Sequence, residues 1–207
     1  TFYEGVCMLR YALTIFISAF LLFQVQPLIG RFILPWFGGG PSIWTSCMLF
    51  FQIVLLAGYL YSHLLCSRLG RGAQVGTHLS LLALSVMFLP IAPSESWKPV
   101  GDESPMLQIL LLLLATVGGP YFMLASTGPL MQRWFNQTSP GRSPYRLYAL
   151  SNVGSLLALL SYPLLFEPWL KLQHQVLSWS FVYIVYVSFA VWCAIRLLRH
   201  SVPDPLT

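Results

Sequence analysis

Four amide side chains lie within stretches of the sequence that are otherwise apolar. They are Gln24 and Gln26, directly before Pro27, then Gln52 and Asn152. An amide has donors and acceptors that hydrocarbon cannot satisfy, so in a membrane each is expected to face another helix or a cavity. Hydrogen bonding between helices is the simplest role for them, and contact with a polar substrate is the alternative.

Small residues with helical spacing surround Asn152. Ser151, Gly154, Ser155 and Ala158 recur at intervals of three and four residues and therefore share one side of a helix. Small side chains at such positions let two helix backbones approach closely. We predict a packing face, formed by these four residues and Asn152, that is buried against other protein.

Residues suited to catalysis or metal binding are sparse. The sequence has four cysteines that form no C-x-x-C pair, namely Cys7, Cys47, Cys66 and Cys193. His63 and His78 fall near the ends of adjacent apolar stretches, where two histidines can hold a haem or a metal, but no acid lies near them in sequence. The acids and histidines also lack the spacing of a catalytic triad. We therefore expect no enzymatic activity, no cofactor and no metal.

Six long stretches without Asp, Glu, Lys or Arg contain these residues. Charged residues make up 8% of the 207 residues and apolar residues 57%, whereas about a quarter of a soluble domain is charged. The composition predicts an all-α, polytopic membrane protein with six transmembrane helices, at about 11–30, 43–65, 75–91, 106–130, 147–166 and 176–195. We predict one transmembrane domain over 1–200 and a linker-like tail over 201–207.

Glycine and proline mark where the helices turn or bend. Gly38 to Pro41 cannot continue a lipid-facing helix without exposing backbone polar groups, which predicts a turn between the first two spans. In the fourth span, Gly118-Gly119-Pro120 and Gly128-Pro129 predict a bent, tightly packed bundle. The alternative is a broken helix that lines a cavity, as in transporters.

The distribution of Lys and Arg predicts the orientation. Eight of the eleven fall at the two ends of the chain or in the second and fourth loops, and three in the odd loops. The eight are Arg10, Arg68, Arg71, Arg133, Arg142, Arg146, Arg196 and Arg199, and the three are Arg31, Lys98 and Lys171. Because basic residues are enriched on the cytoplasmic side, both termini are predicted to be cytoplasmic. No dense basic stripe with interleaved aromatics accompanies the net charge of +5, so no nucleic-acid partner is expected.

Residues near the predicted span ends are expected to meet the lipid interface. Arg31 is placed at the outer end of the first helix. Three partners are open to it there, namely a lipid phosphate, a helix C-terminus and Glu167, and a lipid-facing role is preferred. Tryptophans are expected to anchor the helices in the headgroup region. Those near span ends are Trp36, Trp44, Trp97, Trp134 and Trp169.

Three segments resemble a known family. They are QVQPLIGR at 24–31 with LPWFGG at 34–39, STGPLMQRWF at 126–135, and SPYRLYALSNVGSLLALLSYP at 143–163 followed by Glu167-Pro168. They are similar to bacterial membrane proteins in which a major-facilitator-like domain is fused to a spermidine-synthase-like domain. The similarity extends over about 16–168. A weaker likeness relates 67–71 to the Asp-Arg-x-Gly-Arg loop of major facilitators, with Ser67 in place of the acid.

The resemblance implies one half of a major facilitator fold in the bacterial inner membrane. Membrane lipids and another transmembrane protein are the implied partners, the latter as a second half, a dimer mate or a complex subunit. It does not bring aminopropyl transfer with it, because the chain lacks a Gly-rich turn after a strand and the carboxylates that bind an amine. Two functions remain open, a transporter-like module and an accessory subunit that packs within a larger membrane complex.

Overall fold

The computed structural model describes residues 2–99, 104–139 and 145–199, with side chains from residue 8 onward. The described residues form six long helices, a 3-10 turn at Glu95–Trp97, and no strand. The helices are α1 (Phe2–Phe37), α2 (Pro41–Arg68), α3 (Arg71–Val86), α4 (Pro105–Thr138), α5 (Tyr145–Trp169) and α6 (Leu172–Arg199). The side chain of Cys7, the loop residues Asp102, Glu103, Arg142, Ser143 and Pro144, and the predicted tail at 201–207 lie outside this description.

The described residues are all-α, and five of these helices are long and apolar enough to cross a membrane, as expected of a multi-pass membrane protein. The exception is α3, whose 16 residues span about 24 Å against a hydrocarbon core of about 30 Å. The predicted third span at 75–91 is therefore helical only as far as Val86. Pro90 and Pro93 follow, and a proline disfavours the helical conformation of the residue before it and has no N–H to donate.

The predicted turn between the first two spans is confirmed. Gly38 has a φ of +89°, and its N–H donates to the carbonyl of Leu34 at 2.9 Å, which is a common way to end a helix. Pro41 then begins α2. The end of the first helix was predicted too early, because α1 continues through Pro27 and Pro35 to Phe37.

Two helices contain a wider π turn beside a proline. In α4 the π turn covers Leu114–Gly118, just before Pro120, and in α5 it covers Tyr162–Phe166, which includes Pro163. A π turn accommodates the missing proline N–H without ending the helix. Both helices continue beyond these turns, so the broken-helix alternative for the fourth span is not observed.

One end of every helix contributes to a single buried cluster. Its members include the start of α1, α3 and α5 and the end of α2, α4 and α6. Examples are Tyr11 in α1, Val75 in α3, Leu147 in α5, Leu65 in α2, Trp134 in α4 and Leu197 in α6. Successive helices therefore run in alternating directions, and the first and last meet where the Arg10 guanidinium lies 4.3 Å from the centre of the Trp192 ring.

The opposite end brings the α1–α2 turn to the segment before α4. There the Lys98 ammonium lies 5.6 Å from the centre of the Trp36 ring. Arg68, Arg133 and Arg196 are on helix ends of the first cluster, whereas Lys98 belongs to this second end. The two ends of the bundle therefore differ in arginine content, as the sequence predicted.

Burial is uneven among the helices. In the most apolar 18-residue stretch of α4, 67% of the residues are buried, whereas in the corresponding stretch of α5 only 17% are. α1 packs against α4, α5 and α6, while α2 packs mainly on α4. α1 and α4 are therefore the central helices, and α5 leaves most of its surface uncovered by this chain.

Candidate functional site

A buried polar group joins α3 to α4 at the arginine-rich end. The Oε1 of Gln74 accepts a hydrogen bond from the indole N–H of Trp134 at 3.0 Å, and its Nε2 donates to the Leu69 carbonyl at 2.8 Å. Trp134 has no exposed surface, so its predicted role as an interface anchor is wrong. Gln74 was not predicted as a site residue, because it lies one residue before the predicted start of the third span.

The two histidines have separate surroundings. His78 is fully buried, with its Nδ1 3.3 Å from the hydroxyl of Tyr61 and its ring edge-on to Trp134. His63 is exposed and lines a cavity of about 220 Å³ that also includes Arg133. Among the described residues, no three His, Cys, Asp or Glu side chains cluster as metal ligands do.

Of the four amides, Gln24 is buried, Gln26 is half-buried, and the other two are exposed. Gln24 is buried, and Gln26 donates to the Tyr121 hydroxyl at 3.2 Å, which links α1 to α4 as expected. Gln52 on α2 and Asn152 on α5 are exposed. For these two the predicted burial is not met within this chain.

The small-residue face of α5 packs against α1. A Cβ added to Gly154 would lie 2.8 Å from the Phe16 carbonyl oxygen and 3.5 Å from the Ala19 Cβ, and Ala158 is fully buried. Ser151 and Ser155 lie at its half-buried edges. Asn152 lies on the opposite, exposed side, because it is two residues from Gly154 and so about 200° away around the helix. The face is thus buried by this chain, and Asn152 is not part of it.

A second close approach, between α2 and α4, was not predicted. A Cβ added to Gly58 would lie 2.8 Å from the Ala125 Cβ. One turn later, the Ser62 hydroxyl donates to the Ser126 carbonyl at 2.8 Å. Gly58 and Ser62 have the four-residue spacing of small residues at helix contacts, which is the signal that identifies them.

A partly open cavity of about 470 Å³ lies between α1, α2 and α5. Most of its wall is apolar and includes Leu34, Met48, Phe51, Leu159 and Pro163. Four side chains bring polar or charged groups to it, namely Gln26, Arg31, Tyr162 and Glu167. We call this space the Arg31 cavity.

Arg31 lies within the wall of this cavity, not on the lipid-facing end of a helix. It is six residues before the end of α1, so the late end of that helix leaves it deeper than the sequence suggested. Its Nη1 is buried and has no hydrogen-bond partner among the described residues. That lipid reaches Arg31 through this cavity stays a prediction.

Arg31 and Glu167 share the cavity without pairing. Both lie within electrostatic range of the Tyr162 phenol, which also accepts a hydrogen bond from Arg31. The Tyr162 hydroxyl donates to the Gln175 Oε1 at 3.0 Å. The salt bridge found within the described ranges joins Lys98 and Glu95, at 2.6 Å. The wall of the Arg31 cavity therefore contains one basic and one acidic residue that form no salt bridge with each other.

Comparison with known proteins gives no match. No family model, no curated protein and no solved structure matches this chain. Any function must therefore be argued from the geometry of the chain itself.

Exposed side chains continue the cavity wall along α2 and α5. Gln52 is four residues from Met48, and Asn152 is seven from Leu159, so each lies on the same side of its helix as a cavity-lining residue. Tyr59, two turns beyond Gln52, is 50% exposed. We call this surface, formed by Met48, Gln52, Tyr59, Asn152 and Leu159, the open face.

Proposed function

We propose that this chain is a membrane module that binds a small ligand in the Arg31 cavity and works with a second membrane body covering the open face. The exposure of Gln52 and Asn152 on membrane-crossing helices carries the proposal. An amide that faces lipid tails has unsatisfied donors and acceptors, so protein or a water-filled cavity must cover both.

The preferred form of this proposal is a transporter-like half. Six helices correspond to one repeat of a major-facilitator-like architecture, and a central site needs a second repeat opposite. A cavity with an arginine in its wall, next to an uncovered face, is what one such half is expected to present. In this proposal the chain has no catalytic centre of its own.

The orientation and location belong to the same proposal. Both termini and the helix ends with Arg68, Arg133 and Arg196 are placed on the cytoplasmic side of a bacterial inner membrane. The arginine-rich cluster at one end of the bundle supports this placement, because basic residues are enriched on that side. Membrane lipids surround the remaining apolar surface, and no nucleic acid is involved.

An accessory subunit of a larger membrane complex is the second candidate. Its support is α5, which has only 17% of its apolar window buried. Leu156, Leu160 and Leu164 are exposed on that helix, so it offers a long apolar surface to a neighbouring subunit. In that case the small residues near Gly154 hold the chain together and the apolar side of α5 makes the external contact.

Photo-crosslinking in native membranes tests both candidates. A benzophenone amino acid replaces Gln52 or Asn152 on the open face, and Phe181 on α6, which is 70% exposed, serves as the control position. We expect protein adducts at 52 and 152 and none at 181, with mass spectrometry identifying the partner.

The identity of the adduct separates the candidates. A second copy of this chain, or another six-helix domain, supports the transporter-like half. A subunit of a different membrane complex supports the accessory role. Adducts with lipid alone at positions 52 and 152 contradict the proposal that a second membrane body covers the open face.

A further inference from the structure

The wall of the Arg31 cavity contains a guanidinium that is only partly satisfied, since Arg31 is hydrogen-bonded to the Tyr162 phenol through part of its side chain. The buried Nη1 of Arg31 has no acceptor among the described residues, and a buried donor without a partner is costly. Carboxylates and phosphates are the acceptors that a guanidinium binds best, because they match its planar array of N–H groups. An anionic group of a ligand that enters this cavity is therefore expected to bind beside Arg31.

Glu167 restricts which anions fit. Its carboxylate lines the same cavity, and Tyr162 is within range of both charges. A ligand with a second negative charge is repelled by Glu167, whereas a cationic group beside the anion is attracted. The pair of charges thus favours a ligand that also has one charge of each sign.

The rest of the wall selects an apolar body. Leu34, Met48, Phe51 and Leu159 present hydrocarbon to the space, and burial of ligand hydrocarbon there is favourable. The volume of about 470 Å³ lies within the usual range of about 300 to 1,000 Å³ for small-molecule sites. A cavity wall that is polar in one part and apolar in the rest is suited to an amphiphilic ligand.

From these observations we propose that the Arg31 cavity binds a zwitterion attached to an apolar body, with the anionic group on Arg31 and the cationic group near Glu167. This inference rests on the cavity of the proposed function but needs no partner on the open face. A lipid with an ethanolamine phosphate headgroup and a free apolar amino acid share this chemistry.

Native mass spectrometry of the detergent-purified protein, with the chains that accompany it, measures the binding. The probes are phosphatidylethanolamine and phosphatidylglycerol with identical acyl chains, and leucine as the free zwitterion. We expect the wild-type protein to retain phosphatidylethanolamine about tenfold better than phosphatidylglycerol, a ratio equivalent to about 1.4 kcal/mol. Leucine binding without that lipid preference identifies a free amino acid as the source.

Three substitutions assign the two charges. Arg31→Gln removes the anion partner and should lower binding of the zwitterionic probe about tenfold, while Glu167→Gln should raise phosphatidylglycerol binding to the level of phosphatidylethanolamine. Arg196→Gln, on an exposed helix end away from the cavity, is the matched control and should change neither. Helix content by circular dichroism checks that each variant is folded, and Arg31→Lys, which keeps the charge, should retain part of the binding.

Equal binding by wild type and Arg31→Gln overturns the inference. So does a wild-type preference for phosphatidylglycerol that Glu167→Gln leaves unchanged. The two proposals fail separately. If no protein crosslinks at positions 52 and 152 but Arg31→Gln still lowers ligand binding, the proposed partner is contradicted and the ligand site is supported. If protein crosslinks at both positions but Arg31→Gln leaves ligand binding unchanged, the ligand site is contradicted and the partner is supported.

Discussion

Gly154 is the residue at which α5 comes closest to α1. The added Cβ would be 2.8 Å from the Phe16 carbonyl oxygen, which is backbone and cannot rotate away. A side chain at this position must push the two helices apart. Ala158, one turn later and fully buried, extends the same contact, so the α1–α5 interface depends on the absence of side-chain volume.

Substituting Gly154 should therefore destabilise the protein. We expect Gly154→Ala to lower the free energy of unfolding by about 1 to 3 kcal/mol, and Gly154→Leu to disrupt folding or assembly. Denaturant titration in mixed micelles, followed by circular dichroism, measures the first change. Gly76 on α3 is the control, because an added Cβ meets nothing within 4 Å, and Gly76→Ala should be neutral or slightly stabilising. Unchanged stability of Gly154→Ala would show that this face is not a packing interface.

Sequence patterns located some of the polar residues of the site but not their directions. Gln26 was predicted to bond within the bundle, and it does, whereas Gln52 and Asn152 turned out to be exposed. The reason is that lipid-facing and core-facing sides of a membrane helix are both apolar, so the hydrophobic pattern does not give the buried side. Trp134 was misplaced for the same reason, since nothing in its spacing distinguishes a buried indole from an interfacial one.

Among the helices, α2 and α4 have the most localised contact. Gly58 lets the backbones approach, and the Ser62 hydroxyl donates to the Gly58 carbonyl at 3.0 Å and to the Ser126 carbonyl of α4 at 2.8 Å. Hydrogen bonds between membrane helices are individually modest, at about 0.6 kcal/mol on average. The contact between α2 and α4 therefore relies on close backbone approach, and the hydrogen bond from Ser62 fixes how the two helices are aligned along their length.

Replacing Ser62 tests the contribution of that cross-helix bond. We expect Ser62→Ala to cost about 0.6 kcal/mol and no more than about 1.7 kcal/mol, since only one interhelical bond is lost. Ser80 on α3 is the matched control, because its hydroxyl bonds only its own helix, at the Gly76 carbonyl, and is exposed. Thermal unfolding of both variants in the same detergent gives the comparison. An equal effect of the two substitutions would mean that the bond to Ser126 contributes nothing.

The ends of the helices were predictable to different degrees. Gly38 marked the turn after α1 because no other residue type adopts its φ of +89° without strain. Pro27 did not shorten α1, although proline usually kinks or ends a helix. Neighbouring helices can compensate for the missing N–H of a membrane-embedded proline, and a single sequence does not show which prolines have that support.

At the scale of the whole molecule, alternating helix directions place all described arginines except Arg31 on one end of the bundle. The helix ends near Arg10, Arg68, Arg133 and Arg196 meet there, while Lys98 lies at the opposite end beside Trp36. Charge spacing was sufficient to predict this arrangement, because hydrophobic stretch lengths and basic loops are encoded locally. The packing partners of each helix depend on distant residues, and the sequence did not reveal them.

Cysteine labelling tests the orientation that follows. In a variant without native cysteines, Ser67→Cys lies at the end of α2 and Ser96→Cys in the segment before α4, and both serines are exposed. In intact cells, an impermeant maleimide should label position 96 and leave position 67 unlabelled until the cells are lysed. Labelling of both positions in intact cells would contradict a cytoplasmic location for the arginine-rich end.

Most of the contacts of α1 are with helices that are synthesised well after it. α1 makes slight contact with α2, the next helix to leave the ribosome, and close contact with α4, α5 and α6. Two of its contacts are to α6. The Leu21 carbonyl accepts a hydrogen bond from the indole N–H of Trp179, and the Thr14 hydroxyl contacts the Cys193 thiol. The enclosure of α1 therefore depends on α6, which follows it by more than a hundred residues in the sequence. A chain halted before α6 leaves these groups uncovered, which gives membrane quality control a surface to detect.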